Sequence, residues 1–92
     1  MERGVIKGIS LLKNSDYRKK ILGVLAEIKY MTPSEIAKAT DIRLNHISNF
    51  LNDLKTHGLI SCLNEDEKRG RLYQITGLGN KVVIESEKHQ SS

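Results

Sequence analysis

Hydrophobic residues along this chain follow two patterns, one typical of helices and one typical of strands. Tyr17, Ile21, Val24 and Ile28 follow one another at intervals of three or four residues, which is typical of one face of an α-helix. Later in the chain, shorter apolar runs are bounded by charged residues and glycine, which is typical of strands. The spacing predicts helices over residues 16–30, 33–41 and 44–57.

The second helix carries a clear start signal in "TPSEIAKAT". Thr32 is suited to cap the helix, Pro33 takes the first helical position, and Glu35 completes a capping box. The third helix is predicted to end at Gly58, because glycine readily adopts the left-handed backbone conformation that follows many helices.

Two apolar runs after Gly58 predict a β-hairpin. "LISCLN" and "RLYQIT" are compatible with strands, and the charged "EDEKRG" between them reads as the connecting turn. Thr76 then caps a last helix that contains Leu78, Val82 and Val83. Its polar end, residues 85–92, is predicted to be a frayed tail.

Residues 1–14 do not predict one structure. Four apolar residues fit one side of a helix, but Gly4 and Gly8 weaken that prediction. A strand, or a segment that folds on a partner, remains open. The apolar residues are Val5, Ile6, Ile9 and Leu12.

The third helix carries an unusual stripe of amides. Asn45, Asn49 and Asn52 fall within roughly 60° of one another on the helix surface, opposite the apolar Ile47, Leu51 and Leu54. Asparagine is a mediocre helix former, and a merely solvated face is more easily built from Glu, Lys or Arg. The amides both donate and accept hydrogen bonds, so the pattern indicates a face with a binding partner.

Composition narrows the class of protein. Ninety-two residues suffice for one small domain, no apolar run approaches the roughly 20 residues of a membrane span, and no signal peptide is apparent. The single Cys62 excludes an internal disulfide and fits a reducing compartment, so a cytoplasmic protein is expected. The net charge of +4 hints at an anionic partner, but residues 31–76 hold six basic and six acidic side chains.

The order of elements and several short motifs resemble a known family. "TPSEIAKATDIRLNHISNFLNDLKTHGLI" followed by "KRGRLYQIT" is similar to small archaeal and bacterial winged helix-turn-helix transcriptional regulators, in the style of the MarR and ArsR groups. The resemblance covers about residues 17–84. It implies a mostly helical α+β fold with a three-helix core, a two-stranded wing and a C-terminal helix.

The resemblance also implies that residues 44–57 form a recognition helix that enters the major groove of double-stranded DNA. Independently, asparagine is able to bond to adenine through two hydrogen bonds, and arginine to guanine. Residues near the start of such a helix usually touch the bases. The candidates for base or adjacent phosphate contacts are Arg43, Asn45, His46, Ser48, Asn49 and Asn52.

The predicted wing, residues 65–71, supplies the charge that the helix lacks. Lys68, Arg69 and Arg71 are expected to follow the phosphate backbone or enter the minor groove, with the neighbouring acidic residues facing away. Thr32 and Ser34, at the start of the short helix, offer hydroxyl and backbone N–H groups to a phosphate.

Three other functions are alternatives to DNA binding. An enzyme is not expected, because the sequence has no phosphate-binding glycine loop and no paired-carboxylate site; no catalytic or cofactor-binding residue is assigned. A metal sensor is disfavoured, since Asp53, His57 and Cys62 lack the spacing of a recognised zinc motif. The remaining alternative is a winged-helix module that binds protein or RNA.

The ends of the chain predict the assembly. Residues 16–84 are predicted to form the winged-helix domain, and residues 1–15 a separate N-terminal segment with a possible role in dimerisation. Apolar side chains there, and in the terminal helix, would be exposed in a monomer. A homodimer is therefore expected, with two recognition helices about one DNA turn apart.

Overall fold

The computed structural model describes residues 3–90, with side chains described as far as residue 88, and its elements follow the predicted order. The ambiguous N-terminal segment is a helix, and the last helix continues through most of the predicted tail. The elements are α1 (Arg3–Lys13), α2 (Asp16–Glu27), α3 (Pro33–Thr40), α4 (Leu44–Thr56), β1 (Ile60–Cys62), β2 (Tyr73–Ile75) and α5 (Gly77–Gln90).

One core of aliphatic side chains joins all five helices and the hairpin. Full burial of each Leu or Ile contributes about 1.5–3 kcal/mol relative to leaving it exposed, so this cluster supplies the main stabilising term. The predicted inward face of α4 is confirmed, because Ile47, Leu51 and Leu54 are all buried. The largest fully buried side chains are Leu12, Ile21, Leu22, Leu25, Ile36, Ile47, Leu54, Leu59, Ile60 and Val82.

The wing is a short antiparallel hairpin with a third strand-like residue at its base. Ile60 pairs with Ile75 and Cys62 with Tyr73. Met31, just before α3, exchanges two backbone hydrogen bonds with Tyr73, with N···O distances of 3.1 and 2.9 Å. This bridge fixes the start of α3 against the wing, which the sequence did not predict.

The predicted helix signals are confirmed in atomic detail. Thr32 and Glu35 form the reciprocal capping box, and Thr76 accepts a hydrogen bond from the backbone N–H of Gly79 at 3.0 Å. Gly58 has φ +76°, as expected for its place after α4. The tight turn between α3 and α4 is made by Asp41, with φ +58°, a conformation that Asp tolerates better than most residues.

Helices α1 and α5 run parallel and in close contact, and Gly8 permits the approach. Gly4 lies against Leu78, and Gly8 against Val82, so the contacts advance together along both helices. A methyl group at Gly8 would lie 2.5 Å from Val82 Cγ2. Of the two glycines that weakened the helix prediction, Gly8 is therefore the one that this packing requires, because a methyl group at Gly4 would meet Leu78 at an ordinary contact distance of 3.4 Å.

This packing shows that the expectation of exposed apolar side chains in the N-terminal segment was wrong for most of them. Val5, Ile9 and Leu12 are buried within the same chain, and α1 contributes to the common core. The use of residues 1–15 in dimerisation stays a prediction. Within residues 3–90, no helix combines the length and the apolar character needed to cross a bilayer.

Candidate nucleic-acid interface

The amide stripe of α4 faces outward. Asn45, Asn49 and Asn52 are exposed, and their side chains make no hydrogen bond to any residue that the structure describes. The backbone carbonyl of Asn52 accepts a hydrogen bond from the Thr56 hydroxyl at 2.8 Å, which leaves its side-chain amide free. The predicted orientation of this face is thus confirmed, while its contacts with bases stay a prediction.

The start of α4 is equally open. The helix begins at Leu44, and Arg43 occupies the capping position with extended backbone and no side-chain hydrogen bond to the helix end. His46 and Ser48 are exposed on the first two turns. The guanidinium of Arg43 forms no hydrogen bond or ion pair with a described residue, so it is available to an external acceptor.

The opposite flank of α4 is held to the body of the protein. Arg18 on α2 forms an ion pair with Asp53, Nη2 to Oδ2 2.9 Å, and donates a second hydrogen bond to the carbonyl of Leu11. Beside it, the rings of Tyr17 and Phe50 meet edge to face with centroids 5.5 Å apart. These contacts position α4 relative to α1 and α2.

The three residues considered for a metal site, Asp53, His57 and Cys62, each have another partner within the chain. The Asp53 carboxylate is paired with Arg18, and the His57 ring contacts the backbone carbonyl of Asp53 through Nδ1 at 2.8 Å. Cys62 is half-buried, with its thiol directed at Asn64 Oδ1 at 3.6 Å. Among residues 3–90, no group of three or more His, Cys, Asp or Glu side chains is placed to hold a metal ion.

Asn64 organises the wing loop, a role that the sequence did not reveal. Its side-chain oxygen accepts the backbone N–H of Leu72 at 2.7 Å, and its nitrogen donates to the carbonyl of Gly70 at 3.2 Å. A single side chain thus spans the two sides of the loop. An asparagine before a charged turn was the only available signal, and it is a common one.

The three basic residues of the wing differ in their surroundings. Arg71 donates from Nε to the carbonyl of Glu67 at 2.7 Å and from Nη2 to that of Glu65 at 3.3 Å, so it braces its own loop. Lys68 and Arg69 are exposed and form no ion pair with a described residue. The strongest candidates for phosphate contacts in the wing are therefore Lys68 and Arg69.

A groove of about 570 Å³ separates α4 from the wing, with the start of α3 at its side. It brings together seven of the eleven predicted residues. Arg43, Asn45, His46 and Asn49 are not among its lining residues and lie on the neighbouring exposed surface of α4. The predicted residues that line the groove are Thr32, Ser34, Ser48, Asn52, Lys68, Arg69 and Arg71.

The groove also contains Lys55, which the sequence analysis overlooked. Lys55 follows Ser48 and Asn52 at helical spacing, and that periodicity was the signal that would have found it. Its ammonium forms an ion pair with Glu65 of the wing. The hydrogen bond from Lys55 lowers the pKa of Glu65, and the same bond raises the pKa of Lys55. The expectation that the acidic wing residues all face away was therefore wrong for Glu65.

Thr32 is less available to a ligand than predicted. Its backbone N–H is bonded to the Glu35 carboxylate at 2.9 Å, and its hydroxyl oxygen accepts the N–H of Glu35 at 3.2 Å. The hydrogen bond from the Thr32 backbone N–H to the carboxylate lowers the pKa of Glu35, and the Thr32 side chain lowers it further. Because Pro33 has no N–H, the side chain and backbone N–H of Ser34 are the main groups left to bind a phosphate at this helix end.

Solved structures with the same arrangement establish the fold. A MarR-family transcription regulator superposes with a TM-score of 0.77 and 20% identity over 95% of this chain. A mutant of E. coli MarR complexed with operator DNA gives 0.73 and 24% over 97%, and an S. aureus MepR–DNA complex gives 0.70 and 23% over 97%. The chain has a MarR-like winged-helix fold.

This winged helix is shorter than the proteins it resembles. It spans 58% of the length of the first of these regulators, 69% of MarR and 78% of MepR. No protein-family model and no curated protein sequence matches the chain. In this winged helix, α3 and α4 form the helix-turn-helix, and the segment between β1 and β2 forms the wing.

Proposed function

We propose that this winged helix binds double-stranded DNA sequence-specifically and acts as a transcriptional regulator, rather than as an enzyme. The observation that supports this most directly is the exposed amide stripe of α4, whose donors and acceptors have no partner among the described residues. Each base pair presents a distinct set of donors and acceptors in the major groove, and one helix fits there.

The surface divides naturally into two kinds of contact. Asn45 and Asn49 stand near the start of α4, with Arg43 and His46 beside them, and we assign these to base edges or the nearest phosphates. Ser34, Ser48, Asn52, Lys68 and Arg69 line the groove towards the wing, and we assign these to the sugar–phosphate backbone. In their solved complexes, E. coli MarR is bound to operator DNA and S. aureus MepR is bound to DNA, which supports the same kind of partner here.

We further propose that the protein works in the cytoplasm as a homodimer. Ile6 on α1 and Ile84 on α5, the two helices that pack against each other, keep 54% and 52% of their surface exposed. Burial of these side chains against a second copy would favour a two-fold dimer, the assembly in which a pair of recognition helices reads two half-sites. Sedimentation of a monomer at tens of micromolar would exclude this assembly.

The decisive experiment is selection of preferred sites from random duplex DNA, followed by affinity measurements over a range of salt concentrations. Asn45→Ala should relax the preference at one base position, with a loss of about 1–3 kcal/mol there. Arg69→Ala should weaken binding to every sequence. It should also reduce the slope of log affinity against log salt by about the contribution of one phosphate contact.

Asn80→Ala is the matched control, because Asn80 is an exposed asparagine on α5 and is not among the residues that line the groove. It should leave both preference and affinity unchanged. If no motif is enriched and duplex DNA is not bound even at low salt, the balanced charge of residues 31–76 favours the protein- or RNA-binding module instead.

A further inference from the structure

The ion pair between Lys55 and Glu65 connects the recognition helix to the wing. Lys55 lines the groove from the α4 side, and the Glu65 carboxylate contacts the Lys55 ammonium from the wing loop. Their side chains are 40% and 56% exposed, so solvent and mobile ions have access to both. Ion pairs this exposed contribute little to the free energy of unfolding and exchange partners readily.

The position of the pair matters because of the path that DNA would take. This step rests on the proposed function. If α4 lies in the major groove and the wing reaches the minor groove, the sugar–phosphate strand that separates those two grooves must pass between α4 and the wing. That passage is the groove lined by Ser48, Asn52 and Lys55 on the helix and by Lys68 and Arg69 on the wing.

A phosphodiester in this passage meets Lys55 already paired with a carboxylate. Phosphate oxygens and the Glu65 carboxylate accept the same kind of hydrogen bond from the same ammonium group. Binding therefore exchanges one anion for another at Lys55, and it leaves the charge of Glu65 beside the DNA backbone. The other acidic wing side chains, Asp66 and Glu67, form no ion pair with a described residue.

We propose that Glu65 is a built-in competitor of the DNA phosphodiester backbone for Lys55, and that it lowers the affinity of this winged helix for any duplex. The residue thus limits non-specific binding, which depends almost entirely on contacts between cations and phosphates. Lys55 is thus a phosphate-binding residue of the interface, and Glu65 limits how strongly Lys55 binds a phosphate.

The test compares Glu65→Gln with the wild-type protein on a random-sequence duplex at several salt concentrations. Removal of the competitor should tighten binding roughly threefold to tenfold near physiological salt. It should also steepen the plot of log affinity against log salt by up to about 0.9, the contribution of one newly neutralised phosphate. Thermal unfolding should be nearly unchanged, since the pair is exposed.

Two further variants isolate the role of Lys55. Glu67→Gln removes the same charge from the same loop without releasing a lysine, so it should tighten binding much less than Glu65→Gln. In a Lys55→Met background, where there is no ammonium to release, the gain from Glu65→Gln should fall to that of Glu67→Gln.

Each other result overturns the proposal in a recognisable way. Weaker binding by Glu65→Gln would mean that the pair is a strut that holds the wing in place. Equal gains from Glu65→Gln and Glu67→Gln would mean a general charge effect with no competition at Lys55. Absence of duplex binding by the wild-type protein would refute the proposed function, and the competition with it, whereas the first two results leave DNA binding intact.

Discussion

At the scale of single residues, the features that the sequence predicted correctly are those that depend on near neighbours. Thr32, Pro33 and Glu35 act within one helical turn, so their capping box is readable without any knowledge of the fold. The exposed asparagines were predicted from helical periodicity alone, for the same reason. What each side chain contacts across the molecule was not readable, as the pairing of Glu65 with Lys55 demonstrates.

The capping box gives a prediction at this scale. Thr32→Ala removes the acceptor for the Glu35 backbone N–H and should lower the free energy of unfolding by about 1 kcal/mol. Because folding lowers the pKa of Glu35, the stabilising contribution of its carboxylate is present above the ordinary glutamate pKa and is lost as pH falls through the lowered value. Urea unfolding at neutral pH and in acid measures both effects.

Ser34→Ala is the control, since its hydroxyl makes no hydrogen bond to a described residue. Its effect on stability should stay within about 0.5 kcal/mol. If the hydrogen bonds of the capping box form as a unit, the loss of unfolding free energy caused by Thr32→Ala should be smaller in acid than at neutral pH. An equal loss at both pH values would show that these bonds form independently.

At the scale of elements, the hairpin was predicted but its internal supports were not. Two apolar, strand-compatible runs around a charged turn that ends in glycine predict that two strands exist. They do not specify that Asn64 spans the loop, or that Met31 joins the hairpin edge, because both involve residues brought together only by folding. These supports place Lys68 and Arg69 opposite α4, so the predicted site depends on them.

The wing therefore provides the prediction at this scale. Asn64→Ala removes the acceptor of the Leu72 N–H and the donor to the Gly70 carbonyl, and should destabilise the protein by about 1 kcal/mol. On the proposed function, the loosened loop should weaken binding to all duplexes alike, because its residues are assigned to phosphate contacts rather than to base contacts. Amide hydrogen exchange at Leu72 should become faster.

Asn64→Asp keeps an oxygen able to accept the Leu72 N–H and should retain most of the protection at that amide. The comparison separates the Oδ1 contact from the Nδ2 contact. Unchanged exchange at Leu72 in Asn64→Ala would show that the side chain does not support the wing.

At the scale of the whole molecule, the candidate site is assembled from three distant parts of the chain. Ser34, Ser48 and Arg69 line one groove although up to 35 positions separate them in the sequence. The resemblance to winged-helix regulators supplied this arrangement; periodicity alone could not. The parallel packing of α1 on α5 was missed because Gly8 was judged by helix propensity, whereas its value lies in close approach to a neighbouring helix.

Two glycines in helices test that account, because their surroundings are opposite. A methyl group at Gly8 would meet Val82 Cγ2 at 2.5 Å and Leu59 Cδ2 at 3.4 Å, both on buried side chains, whereas one at Gly23 would meet nothing within 4 Å. Alanine improves helix propensity by about 1 kcal/mol at either position. Overpacking of a core costs about 1–3 kcal/mol, so it outweighs that gain only at Gly8.

Gly23→Ala should therefore raise the free energy of unfolding by up to about 1 kcal/mol, and Gly8→Ala should lower it by a similar amount. Chemical denaturation of the two variants beside wild type measures the contrast directly. Val82→Ala should make room for the methyl group, so the double variant should be less destabilised than the sum of its single changes. If Gly8→Ala stabilised the protein as much as Gly23→Ala, α1 would not be packed against α5, and the N-terminal helix would be free to bind a partner instead.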